Sequence, residues 1–281
     1  MTKRRSDASR SLFPWLAGAA LCLSLAVPAT AQRPNPSVEL RLDYFQPSFD
    51  SSVRLDSEEL GIGTDLDLEG DLAMEDDTGA FRANAVFRPG RRARITLDYH
   101  AFEREGSAVV GREIQFGGTV FSANADVRST LDSQFVAAGF GYALLATEQA
   151  ELGLSLSVAW IELEATLRSD VFVAGIPVFE VVERGETSGP VPMLGAFGAW
   201  WLGDRFRLLG DARYLEVSDF DGWDGSALDL GVRFEWFVID NLALGVGYSL
   251  TDIEATSREA RDLGRADYSY DGFRAGVTVA F

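Results

Sequence analysis

Asp271-Gly272-Phe273-Arg274-Ala275-Gly276-Val277-Thr278-Val279-Ala280-Phe281 closes the sequence. Phe273, Ala275, Val277, Val279 and Phe281 share one parity, while Arg274, Gly276 and Thr278 take the other. Side chains alternate between faces along a strand, whereas a helix repeats about every 3.6 residues. The spacing therefore predicts a strand with one continuous apolar face that ends on an aromatic ring.

The same alternation recurs upstream. Ten segments carry it: 37–46, 80–88, 93–103, 134–145, 151–163, 191–202, 206–217, 227–238, 242–252 and 268–281. In the first, Val38, Leu40, Leu42 and Tyr44 oppose Glu39, Arg41 and Asp43. In the eighth, Leu228, Leu230, Val232, Phe234 and Trp236 oppose Asp229, Arg233 and Glu235. The sixth is ambiguous in phase, because Trp200 and Trp201 are adjacent.

The connections alternate in length. Those at 89–92, 146–150, 203–205 and 239–241 are tight turns, and those at 47–79, 104–133, 164–190, 218–226 and 253–267 are mostly long and polar. Short turns on one side and long loops on the other are a mark of transmembrane barrels. Five long loops between two termini on the short-turn side require an even strand count, in agreement with ten. The expected fold is all-β, a ten-stranded antiparallel transmembrane β-barrel, with 8 or 12 strands as alternatives. A soluble sandwich or lipocalin-like barrel would show the same alternation. The aromatic residues separate the readings. Phe87, Tyr142, Phe206, Trp236 and Phe281 sit at the short-turn ends of apolar faces, and Tyr44, Tyr99, Tyr214 and Tyr248 near the opposite ends. Two such rings around an apolar band are membrane-interface girdles.

The other end of the chain agrees. Lys3, Arg4, Arg5 and Arg10 precede an apolar run from Ser11 to Val27, and Ala29-Thr30-Ala31 is a small-residue cleavage signature. The run is too short for a spanning helix, which needs about 20 residues. Residues 1–31 are therefore expected to be a secretory signal peptide, with the mature barrel domain, 32–281, beginning at Gln32. Cys22, the one cysteine, lies inside the signal, so the barrel would carry no disulfide. Removing 1–31 takes away four of the 25 basic and one of the 43 acidic residues. What remains is 21 arginines against 42 acidic residues, and such an acidic chain lacks the basic footprint that nucleic acid requires.

The chain as a whole resembles bacterial outer-membrane β-barrel proteins of the OmpA/OmpW-like type. It looks most like a subgroup with an acidic first loop, here Gly63-Thr64-Asp65-Leu66-Asp67-Leu68-Glu69, and a Tyr270-Asp271-Gly272 step into the last strand. The resemblance implies a bacterial outer-membrane location, contact with outer-membrane lipids and lipopolysaccharide, and recognition of the last strand, ending in Phe281, by the barrel-assembly machinery. It brings no activity with it.

Four constellations could carry chemistry. First, Glu39, Arg41, Asp43, Arg82, Arg94, Asp98, Arg207, Asp211, Arg213, Asp229, Arg233 and Glu235 all take the inward parity. Ten strands leave an interior little wider than its side chains, so a closed Arg–carboxylate network is expected rather than a pore. Second, Asp98 and His100 are two apart on one strand and share a face, as a carboxylate orienting a general base would. A lumen histidine that only hydrogen-bonds is the plainer reading. Third, residues 50–77 hold eleven acids and one base, Arg54. Asp65, Asp67, Glu69, Gly70 and Asp76 imitate an EF-hand spacing, but with Glu at its fifth position, the shorter Asp at its twelfth and no flanking helices. A merely solvated acidic loop is the preferred reading, loose attraction of divalent cations near lipopolysaccharide the next, and a calcium site the last. Fourth, 113–121 reads as a hairpin turning at Gly117-Gly118, and 171–182 as another turning near Gly175-Ile176-Pro177.

The function expected is structural or surface-interacting, with a closed or nearly closed lumen and acidic extracellular loops. A narrow channel for small solutes is the alternative, and an outer-membrane hydrolase using Asp98 and His100 a third reading. No catalytic, cofactor-binding or metal-ligating set is assigned, and no cofactor is expected.

Overall fold

The computed structural model describes residues 36–56, 63–116, 118–173, 176–220, 223–257 and 264–281. Ten long strands make the wall: β1 (Val38–Arg54), β3 (Ala80–Phe87), β4 (Ala93–Val109), β7 (Asp126–Ala146), β8 (Ala150–Val173), β9 (Ile176–Trp201), β10 (Phe206–Phe220), β11 (Trp223–Ile239), β12 (Leu242–Ser257) and β13 (Arg265–Ala280). Each pairs antiparallel with its neighbour in that order, and β13 returns to pair with β1. The sheet is thus closed, as the alternation predicted, and the strand count is ten. The signal segment 1–31 and the expected start at Gln32 lie outside the described residues.

The in-and-out phase also follows the sequence. Leu40, Leu42, Tyr44, Leu97, Tyr99, Leu154, Trp160, Val232, Val246 and Phe273 are exposed on the outer surface, while Glu39, Asp43, Asp98, Arg207 and Glu235 are buried inside. The ambiguous sixth segment is settled by its neighbours. Trp201 pairs with Arg207 and faces inward, and Leu194 stands exposed on the outside.

The strands, however, run well past the expected segments on the long-loop side. β8 and β9 hold 24 and 26 residues, more than twice the roughly 9–11 that cross a bilayer. The expected loop 164–190 is in fact the upper half of one hairpin, paired down to Val173 and Ile176. Residues 174–175, within the expected turn region, lie outside the described residues. The smaller hairpin was legible: β5 (Ile114–Phe116) and β6 (Thr119–Phe121) pair across the expected turn.

Polarity inverts along these long strands with no change of phase. Below Tyr44, β1 turns leucines outward and charges inward. Above it, Gln46, Ser48 and Asp50 face out, and Phe45, Phe49 and Val53 face in. β4 inverts between Tyr99 and Phe102, β10 between Tyr214 and Leu215, and β12 between Tyr248 and Ile253. Burial in lipid demands apolar surface outside, and water demands it inside. The inversion line, marked by the ring of Tyr44, Tyr99, Trp160, Tyr214, Tyr248 and Phe273, is therefore the upper edge of the apolar band.

Above this line the interior is an apolar core. Phe49 packs on Phe102 and Tyr270 with ring centroids 5.1 and 5.7 Å apart, and Phe45, Phe135, Leu131 and Tyr268 complete it. The first loop contributes to this core. β2 (Leu66–Asp67) adds to β1, and α1 (Leu68–Leu72) follows. Leu66, Leu68 and Leu72 are all buried. The expectation of a solvated loop is thus corrected at these leucines. Three leucines offset the entropic cost of ordering the segment. Asp67 caps the helix, its carboxylate accepting from Gly70 N at 2.7 Å.

Candidate functional site in the barrel interior

Below the aromatic core, the strands present charge to one another in layers. The lowest layer centres on Glu39 and Glu235. Arg207 donates to Glu39 at 2.8 Å and to Glu235 at 2.6 Å, and Arg88 donates to Glu39 at 2.7 Å. Thr278 Oγ1 donates to Glu235 at 2.6 Å. The Arg207 guanidinium stands 5.1 Å from the ring centroids of both Trp201 and Phe237, which are buried near the lower end. One step up, Arg233 joins Asp43 to Glu235, reaching the latter at 3.0 Å. Higher again, Arg213 reaches Asp98 at 3.2 Å and Asp229 at 3.0 Å, and Asn84 donates to Asp98 at 2.9 Å.

These pairs come from strands far apart in sequence, and antiparallel closure brings them to one axis. Every residue of the expected inward network faces the interior. Sequence reasoning left out Arg88, Glu151 and Arg274. Their parity was available: Arg88 continues the face of Arg82 and Asn84, Glu151 that of Gly153, and Arg274 that of Gly276. Glycines make the room. A Cβ on Gly245 would run into the Arg233 guanidinium.

Asp98 and His100 do share the inner face but serve different partners. Asp98 is taken up by Arg213 and Asn84. The His100 Nε2 meets the Tyr270 hydroxyl at 2.6 Å, and the ring stacks on Phe135 at 4.8 Å. His100 is 1% exposed, so the imidazole is a member of the aromatic core.

The carboxylates of the first loop also disperse. Glu69 turns inward, accepting from Ser51 N at 2.9 Å, from Ser51 Oγ at 2.6 Å and from Arg104. Asp71 accepts from Arg112 at 2.7 Å, and Asp67 is spent on the helix cap. The EF-hand-like spacing of Asp65–Asp76 does not close on a centre. Among the described residues, no three His, Cys, Asp or Glu side chains converge to hold a metal. Burial alone would raise the Glu69 pKa, but the hydrogen bonds from Ser51 and Arg104 outweigh it and hold the carboxyl below its ordinary range.

Against known structures, the outer membrane protease OmpT from Escherichia coli aligns with a TM-score of 0.58 at 13% identity, covering 90% of this chain and 99% of that one. The fold is that of an outer-membrane β-barrel. Two other outer-membrane barrels align more loosely. The attachment invasion locus protein Ail of Yersinia pestis gives 0.37 at 9% identity, covering 86% of this chain and 99% of that one. The toluene transporter TodX of Pseudomonas putida gives 0.31 at 11% identity, with 87% and 91% covered. No protein-family model matches the chain, and no curated protein matches its sequence. At 13% identity the likeness to OmpT speaks for the barrel fold alone.

Proposed function

We propose that this chain is a non-conducting bacterial outer-membrane barrel with a structural or surface-interaction role. One observation supports the reading: two bodies of side chains cross the interior, one above the other. The Arg–carboxylate layers occupy the lower half, and the Phe49–Phe102–Tyr270 core, under α1 and the β5–β6 hairpin, occupies the upper half. An ion would have to displace both. Above the apolar band the outer wall carries Asp50, Glu103, Glu105, Asp126, Asp132 and Glu162, all exposed. That collar stands at the level of lipopolysaccharide headgroups, where divalent cations would bridge like charges. The last strand, with Phe281, is the segment offered to the assembly machinery. Planar-bilayer recordings of the purified barrel test the reading. No stable steps are expected, and stable currents of porin size would overturn it in favour of a channel.

A second reading, a membrane hydrolase, draws on the likeness in fold to a protease and on the shared face of Asp98 and His100. The engagement of both side chains elsewhere weighs against it. Peptide hydrolysis by the wild type that His100→Ala abolishes would establish it.

A further inference from the structure

Below the His100–Tyr270 layer the barrel interior holds a polar cavity of about 80 Å³ that reaches down to Arg41 and Arg88. One water needs roughly 10–15 Å³ of such space, so the cavity has room for several waters or one small polyatomic ion. Seven arginines face it with Asp43, Asp98 and Asp211, and Arg41, Arg88, Arg213 and Arg233 among them are paired with carboxylates. Counting the charged residues directly behind the wall as well, eight arginines meet seven carboxylates. A buried positive excess is costly in a low-dielectric interior unless something compensates it.

The unused donors point the same way. Arg82 is buried and reaches Asp229 and Asp98 only through Nη2, at 3.7 and 3.9 Å. Its Nε and Nη1 have no hydrogen-bond partner among the described residues. Arg94 and Arg274 make no ion pair among the described residues, and the Nε of each is unpartnered. The Arg94 guanidinium instead lies 3.3 Å from the centroid of the Phe197 ring, which holds it in place. The buried Ser157 hydroxyl, on the same wall, is also unpartnered. Guanidinium groups present paired N–H donors matched to the oxygens of phosphate-like anions.

We infer that this chamber is an internal binding site for one small inorganic oxyanion of the phosphate or sulfate class, held by Arg82, Arg94, Arg274 and Ser157. The ion neutralises the excess charge and satisfies the free donors. This goes beyond a non-conducting role and does not depend on it, because an occupied site is compatible with a channel too. Equilibrium dialysis tests it, using barrel refolded in a phosphate-free, lipid-free detergent with radiolabelled inorganic phosphate or sulfate. Folding is scored separately by heat-modifiable migration. The wild type should hold about one ion per folded barrel. The Arg94→Gln/Arg274→Gln variant should remain heat-modifiable and hold at least tenfold less at the same concentration. If that variant does not fold, Arg94→Gln alone, which breaks no ion pair, takes its place. Folded wild type that holds neither ion, or variants that hold as much as the wild type, would overturn the assignment.

Discussion

Tyr44 and Phe45 are consecutive residues of β1 that face opposite media: Tyr44 is 49% exposed on the outer wall, and Phe45 is fully buried in the core. Below this pair the outer wall of β1 is leucine, and above it the outer wall is polar. The pair marks where the strand leaves lipid for water.

This boundary can be measured on a single strand face. Leu42 and Ser48 point the same way, on either side of Tyr44. Leu42→Arg should destabilise the barrel by about 2–4 kcal/mol, as charges near mid-membrane do. Ser48→Arg should fall within about 0.5 kcal/mol of wild type. Urea unfolding from lipid vesicles reads both, and equal costs would remove the boundary. Val277→Arg belongs with Leu42→Arg. Thr278, on the inner face, is fully buried and bonded to Glu235, so Thr278→Arg is expected to be costly as well.

The first loop should loosen in acid. Glu69 holds its proton less tightly when docked than when free, because Ser51 and Arg104 favour the ionised form. The resulting stabilisation is complete above the ordinary glutamate value of 4.5 and is lost as pH falls through the lower docked value. Hydrogen exchange across 64–76 should therefore speed up below that range in the wild type, while Glu69→Gln stays flat there. Arg104→Met, which takes the charged donor from Glu69 and a donor from the Ser51 hydroxyl, should weaken docking by about 1–3 kcal/mol at neutral pH.

Arg233 needs the absence of a side chain opposite it. Gly245 lies against its guanidinium, and Asp43 and Glu235 fix that group from the other sides. Gly245→Val should cost about 1–3 kcal/mol through overpacking. Its exposed neighbour Leu244, exchanged for Ile, should cost little. Comparable losses at the two positions, scored by heat-modifiable yield, would argue against the close approach.

Closure of the wall depends on the seam between β1 and β13. Val38 N donates to Phe281 O at 3.0 Å, and Phe281 N donates to Val38 O at 2.8 Å. Deleting Phe281 removes both bonds and one ring of the lower aromatic girdle. The variant should give less folded, heat-modifiable barrel and more periplasmic degradation in cells. Yield equal to wild type would show that the seam closes without it.

Much of the site was legible because barrels repeat one rule: Arg41, Asp43, Arg207 and Glu235 are inward by parity alone. Which carboxylate each arginine meets was not legible. Glu39 and Arg207 are 168 residues apart, and their meeting depends on register and closure. Asp98 and His100 show the limit most clearly. Their shared face was readable, yet the partners that separate them, Arg213 and Tyr270, come from strands across the barrel. The first loop misled for a related reason. Its many acids suggested solvent, while its three leucines needed the Phe49 core to pack against, and that core exists only once the strands close.

The sequence by itself determined an even number of antiparallel strands near ten, the two faces of every strand but the sixth, and the aromatic rings. These follow from a period of two and from connection length, both local along the chain. Only the tertiary structure decided how far the strands extend above the apolar band, that α1 and the β5–β6 hairpin cap the core, and that seven arginines surround one small chamber. Those features depend on which side chains share the barrel axis, and closure and register set that through hydrogen bonds between strands distant in sequence.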